Sequence, residues 1–400
     1  MTERRQIKPS IALALFALLH AVNDQYTSFL SASMPLLIER FGFGLGVAGL
    51  LSSVQSISTS FAQPVFGWIL DRTRRQPSIL LWPVITAVSL SVFGLVPAHT
   101  WLFPLLVVGG LSTAAFHPHA SSAVPAHTKA NAGLGMAIFV SGGTIGYAVG
   151  PVFILSIVNV FGLRFSWLAA LPTILLVIVL ARLGLAGAAR PEAAPRRIPR
   201  LTADRLKPLL AIWLVVVFRS TIGTAYTAFL GVHLRQIGFP IMQVGLALMT
   251  FTFAGAFGGM LGGMAADRVG RKAVIVTGLS LIAPVFWLLL RARGLAVWPM
   301  MAAAGFAIST FNPITVLMAQ DLLPESRGTA SGLIMGLGWS VGGLLVGVVG
   351  GLAEVYGLTQ VLSWILVLVI PAILIASKLP GRFGRSGPLP GSTGVADSAS

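Results

Sequence analysis

The sequence predicts an all-α integral membrane protein with twelve transmembrane helices in two six-helix pseudo-symmetric halves. Three observations predict it. Apolar residues make up 56% of the 400 residues and charged residues only 10%, against roughly 25% charged in soluble domains. Twelve stretches are apolar over a length that can cross about 30 Å of hydrocarbon. Three unrelated motifs also recur at one offset. Gly67-Trp68-Ile69-Leu70-Asp71-Arg72 returns 196 residues later as Gly263-Met264-Ala265-Ala266-Asp267-Arg268. Phe116-His117-Pro118 returns after 195 as Phe311-Asn312-Pro313, and Gly162-Leu163 returns after 195 as Gly357-Leu358. Six spans per half preserve sidedness, so the repeat is parallel.

Each stretch is expected to be a helix, because hydrocarbon offers the backbone no water to bond. The first, 11–38, shows no small-residue cleavage signature and carries Asn23 and Asp24, so it reads as a retained helix rather than a signal peptide. Spans 45–70 and 78–96 flank the basic cluster Arg72–Arg75. Span 101–124 contains Pro118, span 132–159 is glycine-rich, and span 163–183 opens after Gly162. Residues 184–208 hold four prolines, five arginines and a lysine, too polar to span, and divide half 1–183 from half 209–378. The second half repeats the order with 209–236, 241–266, 274–291, 295–321, 328–353 and 358–378. The Gly/Ser/Pro-rich tail 379–400 is expected to be a disordered cytoplasmic extension.

A net charge of +16 raises the question of nucleic acid, but the cations sit in short clusters between apolar spans. With both termini inside, inner segments carry 21 of the 27 Lys and Arg, outer loops carry 5, and Arg219 lies within a span. This asymmetry predicts cytoplasmic termini in a bacterial-type inner membrane. The chain has no cysteine, hence no disulfide and no thiolate metal site. It also lacks a phosphate loop, a zinc pattern and a nucleophile elbow; His117-Pro118-His119 alone is too short to ligate a metal. The expectation is therefore a monomer that is not an enzyme, with no cofactor, no metal and no nucleic acid. Its partners would be the lipid bilayer, protons and a small-molecule substrate, with energy drawn from an ion gradient.

The two charged loops, Gly67-x3-Asp71-Arg72 and Gly263-x3-Asp267-Arg268-x-Gly270-Arg271, resemble the signature loop of the major facilitator superfamily. Arg74 stands where the first copy would carry glycine. The resemblance implies that Gly67, Asp71, Arg72, Gly263, Asp267, Arg268 and Arg271 act as a conformational latch. Gly142, Gly146 and Gly150 share one helix face that lets backbones approach, and Gly150-Pro151 is similar to the antiporter motif of drug/proton exporters. Their early span-four arginine is absent; that region reads Leu105-Leu106-Val107-Val108.

His20 and Asp24 fall one turn apart on a single face of span one, with Asn23 alongside. Span four carries Phe116-His117-Pro118-His119-Ala120-Ser121. Together these motifs resemble the fosmidomycin resistance protein family, in which a glutamate occupies the place of His119. An intramembrane carboxylate costs about 2.5–3.5 kcal/mol to insert, which makes Asp24 a functional candidate. The proton-coupling set is Asp24, His20, His117 and His119. Arg219, a cation inside span seven, suits a phosphonate, phosphate or carboxylate, or a pairing with Asp24. The substrate-binding set is Asn23, Tyr26, His117, Arg219, Tyr226 and Asn312. The expected activity is proton-coupled efflux of a small anionic, fosmidomycin-like compound; the alternative is a symporter importing a small organic anion.

Overall fold

A computed structural model describes residues 9–73, 77–124, 132–183 and 203–379, and every regular element among them is helical. Arg74, Arg75, most of the 184–208 linker and nearly all of the tail lie outside the described residues. In the first half, α1 (Pro9–Gln25) passes through a 3₁₀ turn at Tyr26–Ser28 into α2 (Phe29–Phe41). Next, α3 (Leu45–Ser56) continues through a π-helical stretch, Ile57–Phe61, into α4 (Gln63–Arg72). Then come α5 (Leu81–Ser91), α6 (Leu102–Ala123), α7 (Ala132–Phe161) and α8 (Leu171–Arg182).

The second half begins with α9 (Ala203–Gln236), α10 (Ile241–Val269) and α11 (Arg271–Arg291). It continues with α12 (Val297–Ser309) and α13 (Asn312–Leu322), then α14 (Arg327–Ser331) and a second π-helical stretch, Gly332–Gly338. The last elements are α15 (Trp339–Leu344), α16 (Val346–Tyr356), α17 (Leu358–Trp364) and α18 (Val369–Ser377).

Ten helical runs among the described residues are long and apolar enough to cross a membrane, and Leu81–Gly94 is a shorter apolar one. The first run, interrupted midway by His20, Asn23, Asp24 and Gln25, is not among the ten, so the full count of twelve expected spans is not reached on this criterion. Several helices outrun their apolar stretch, as with Arg271–Arg291 against the expected 274–291. Backbone bonding carries a helix past the last apolar side chain into the polar boundary. The repeated Gly-Leu step has a backbone cause: Gly162 has φ +86° and Gly357 φ +88°, a region costly for any other residue, and each turns one span into the next.

Helix α1 packs along α7, and their closest approach needs glycine: a Cβ on Gly146 would run into the Ala21 carbonyl. In the first half α6 packs against α3 and α4; in the second α12 packs against α10, in repeat-related positions. The halves meet through α3 against α16 and α7 against α10. Their contacts cluster toward the end bearing the turns at 42–44, 162, 238 and 357, opposite the chain termini. There the Gly46 N–H donates to the Glu354 carboxylate at 2.7 Å. The Ser53 hydroxyl donates toward the Gly343 and Leu344 carbonyls at 2.9 and 3.0 Å and accepts the Gly347 N–H at 2.9 Å. The two π-helical stretches, each a locally widened turn, face one another farther toward the termini.

Candidate functional site

The polar residues of α1 converge on α6. Asp24 lies midway along its run, with one carboxylate oxygen 3.1 Å from His20 Nε2 and the other 3.4 Å from His117 Nε2. Asn23 donates to the carboxylate through Nδ2 at 3.0 Å. Each imidazole is fixed from behind. His20 Nδ1 lies 2.8 Å from the Phe139 carbonyl of α7, and His117 Nδ1 lies 2.8 Å from the Thr113 carbonyl one turn earlier on α6. The His20 ring stacks on Phe139 at 4.1 Å and meets His117 edge-on at 5.1 Å. A small apolar cluster containing Phe16, Leu19, Phe116 and Phe139 packs around this centre.

Burial grades across the centre. Asn23 is fully buried and His20 nearly so, while the Asp24 and His117 side chains keep 17% and 27% exposure. That exposure gives small ions a route to the carboxylate. Gly143 of α7 is part of the construction, since a Cβ there would collide with the His20 ring and approach Asp24. The sequence signal for Gly143 was present in the glycine run, but the run reads first as helix packing. The backing carbonyls of Phe139 and Thr113 leave no residue-type signal at all.

Other candidates lie apart from this centre. His119 accepts a hydrogen bond from Trp82 Nε1 at 3.1 Å and does not join the Asp24 centre. Tyr26 and Tyr226 were expected to contact substrate, but both are fully buried with their hydroxyls satisfied by neighbouring elements. Tyr26 bonds the Ala169 carbonyl at 2.8 Å and also the Thr173 hydroxyl, and Tyr226 bonds the Leu362 carbonyl at 3.0 Å. An amphipathic ring in a helix bundle seeks an acceptor for its O–H, and here the backbone supplies it. Asn312 is half-buried at the start of α13, where its carbonyl accepts from Thr315.

Arg219 of α9 donates from Nε to the Ile308 carbonyl at 2.8 Å and makes no ion pair among the described residues. The alternative pairing with Asp24 is therefore not formed. In the charged loops, Arg271 pairs with Asp321 rather than Asp267, and Asp267 and Arg268 are exposed. No atom lies within 4 Å of a Cβ built on Gly263, whereas one on Gly67 would touch Pro118 at 3.6 Å. Arg72 folds over the Trp68 ring at 4.2 Å, and the Asp71 side chain lies outside the description. Asp321, Glu325, which pairs with Arg205, and Glu354 were not singled out from sequence. With only 11 acidic residues in the chain, asking which base each acid meets would have found them.

A helical bundle with apolar runs of this length defines a multi-pass membrane protein. The sequence pattern of the Major Facilitator Superfamily matches residues 16–344 and 209–379, and the chain belongs to that family. It is 27% identical over 352 residues to the fosmidomycin resistance protein of Escherichia coli (strain K12), covering 86% of each chain. It is 30% identical over 380 residues to the uncharacterized MFS-type transporter YfnC of Bacillus subtilis (strain 168), covering 90% of this chain and 91% of the relative. Among solved structures, a bacterial homolog of the human lysosomal transporter Spinster, inward-facing and occupied, superposes with a TM-score of 0.75. That match has 16% identity over 95% of this chain and 100% of the other. It shows the shared fold.

Proposed function

We propose that this transporter is a proton-coupled efflux antiporter for a small, anionic, fosmidomycin-like compound. The observation that carries the reading is the contrast between two charged groups. Asp24 is held between two imidazoles in the first half of the chain, and Arg219 in the second half bonds the Ile308 carbonyl and makes no ion pair among the described residues. A half-buried guanidinium without an anion is costly, so a phosphonate or carboxylate substrate would complete it. The relative whose name refers to fosmidomycin resistance supports this substrate class. In an antiport cycle Asp24 binds a proton from one side and releases it on the other as the halves alternate. Each proton moving down 100 mV contributes about 2.3 kcal/mol. The charged loops serve as the latch of that alternation. The protein works in a bacterial-type inner membrane with its termini in the cytoplasm.

Everted membrane vesicles carrying a fluorescent pH-gradient probe test this. Addition of fosmidomycin should collapse the gradient in wild-type vesicles and leave it intact with Asp24→Asn. Uptake into right-side-out vesicles driven by an inward proton gradient would instead make the protein an importer. An Asp24→Asn variant that dissipates the gradient as wild type does would move the coupling role away from Asp24.

A further inference from the structure

We propose that His20, Asp24 and His117 form a binding site for a divalent first-row transition metal of the Zn²⁺ class. The argument starts from the hydrogens. Each Nδ1 faces a main-chain carbonyl, Phe139 for His20 and Thr113 for His117, both at 2.8 Å. A carbonyl only accepts, so each Nδ1 carries the hydrogen, and each neutral ring turns the Nε2 lone pair forward. Both lone pairs point at a carboxylate, which is also an acceptor. With both rings neutral, three electron-pair donors thus converge. The Nε2 atom of His20 is buried and has no hydrogen-bond partner among the described residues, although it lies 3.1 Å from Asp24.

This is the arrangement of a metal site seen from its donors. Ligating imidazoles characteristically donate the rear N–H to a backbone carbonyl, which fixes tautomer and ring orientation. The three donor atoms lie within 4.8 Å of one another. Bonds of about 2.0–2.2 Å to a tetrahedral Zn²⁺ place neighbouring ligand atoms about 3.3 Å apart. The observed Asp24 separations, 3.1 Å from one carboxylate oxygen to His20 and 3.4 Å from the other to His117, are close to that spacing, so both oxygens would face the ion. Two imidazoles and one carboxylate are borderline ligands suited to Zn²⁺ or Co²⁺ rather than Ca²⁺ or Mg²⁺. A fourth position remains for water, and the partial exposure of Asp24 and His117 gives the ion a way in. Asn23 bonds the carboxylate from the side and steadies the third ligand. The sequence conceals the site because its ligands come from two helices, and the visible pair, His117 and His119, is the wrong one. Bound there, the ion would tie α1 to α6 at Asp24. The inference concerns the ligand set and does not depend on what the chain transports.

The test uses the full-length protein purified in detergent, stripped with a chelator, and titrated with Co²⁺ at fixed neutral pH. We expect one Co²⁺ per chain, an intense visible d–d band of tetrahedral cobalt, and loss of that band on adding Zn²⁺. His20→Gln and Asp24→Asn should each weaken binding at least about tenfold, a minimum for losing a ligand when outer-shell losses alone cost 10–100-fold. His99→Gln, at a loop outside the centre, should bind as wild type does. If His20→Gln is not monodisperse on gel filtration, His117→Gln, at a more exposed ligand, carries the same expectation. Absence of the band in wild type overturns the proposal, as does an unchanged band in these variants. Either result would mean that the imidazoles hold protons against Asp24.

Discussion

At the scale of single residues, the proposed site combines the Asp24 centre with Arg219, which makes no ion pair among the described residues. Arg219→Gln should weaken binding of an anionic substrate about 10–100-fold, the loss expected when a charge-assisted bond worth about 1.5–3 kcal/mol disappears. It should spare a neutral one. Arg219→Lys should fall between, because an ammonium lacks the planar fork. Transport of matched anionic and neutral compounds checks this; equal loss for both, with less protein in the membrane, would make Arg219 structural. The residue types of this centre were legible before the fold. An aspartate in an apolar span is costly enough to announce itself, and His20 lies one turn away on the same face. What sequence could not supply was the neighbour across helices. His117 and His119 read as equal candidates, and only the packing of α6 decides that His117 meets Asp24 while His119 meets Trp82. The two tyrosines show a related gap: a hydroxyl in a span looks functional, and the carbonyl it satisfies is seen only in the fold.

Among elements, the tightest dependence is that of α1 on α7. Gly142, Gly146 and Gly150 each approach the α1 run so closely that a Cβ would collide with its backbone or, at Gly150, also with Ser28. Overpacking a well-packed interface costs typically 1–3 kcal/mol, and here the obstacle is main chain, which moves least. Gly146→Val should therefore lower the yield of folded protein and its melting temperature, measured by fluorescence-detected size exclusion. A normal yield and melting temperature would mean that α1 and α7 can separate. Gly143→Ala is the milder probe, since it should displace the His20 ring before it disturbs the helices. The glycine spacing was visible in sequence and was read as close packing; its partner helix was not. The breaks within runs were less legible. Nothing in Ile57–Phe61 or Gly332–Gly338 marks a π-helical stretch by composition, because such a widening answers tertiary contact rather than local preference.

For the whole molecule, the layout followed from hydropathy and the 195-residue repeat, since helices and their order are set by local physics and the solvent. Orientation in the membrane follows from charge alone. Reporter fusions after Arg200 and after Lys378 should both report cytoplasm, and a periplasmic signal from either would overturn the expected topology. The relation between halves was not legible, because it rests on contacts between residues far apart in the chain, as Gly46 and Glu354 are at 308 positions. Here they touch near the turns at 42–44 and 357, through Glu354 on the N-terminus of α3 and Ser53 on α16. A carboxylate at a helix N-terminus is favourable and modest in strength, which suits a contact that would open in the proposed alternation.

The Ser53 contact offers a handle on time rather than structure. A Cβ built on Gly347 would stand 3.4 Å from Ser53 Oγ, within the reach of a disulfide, and the chain has no native cysteine to interfere. Ser53→Cys combined with Gly347→Cys should cross-link on mild oxidation. If alternation passes through separation of these helices, turnover should stop while the bond holds and resume on reduction, with each single cysteine variant indifferent to oxidant. Full turnover in the oxidised double variant would show that the two ends of this seam need not part, and that the clock of the cycle runs elsewhere.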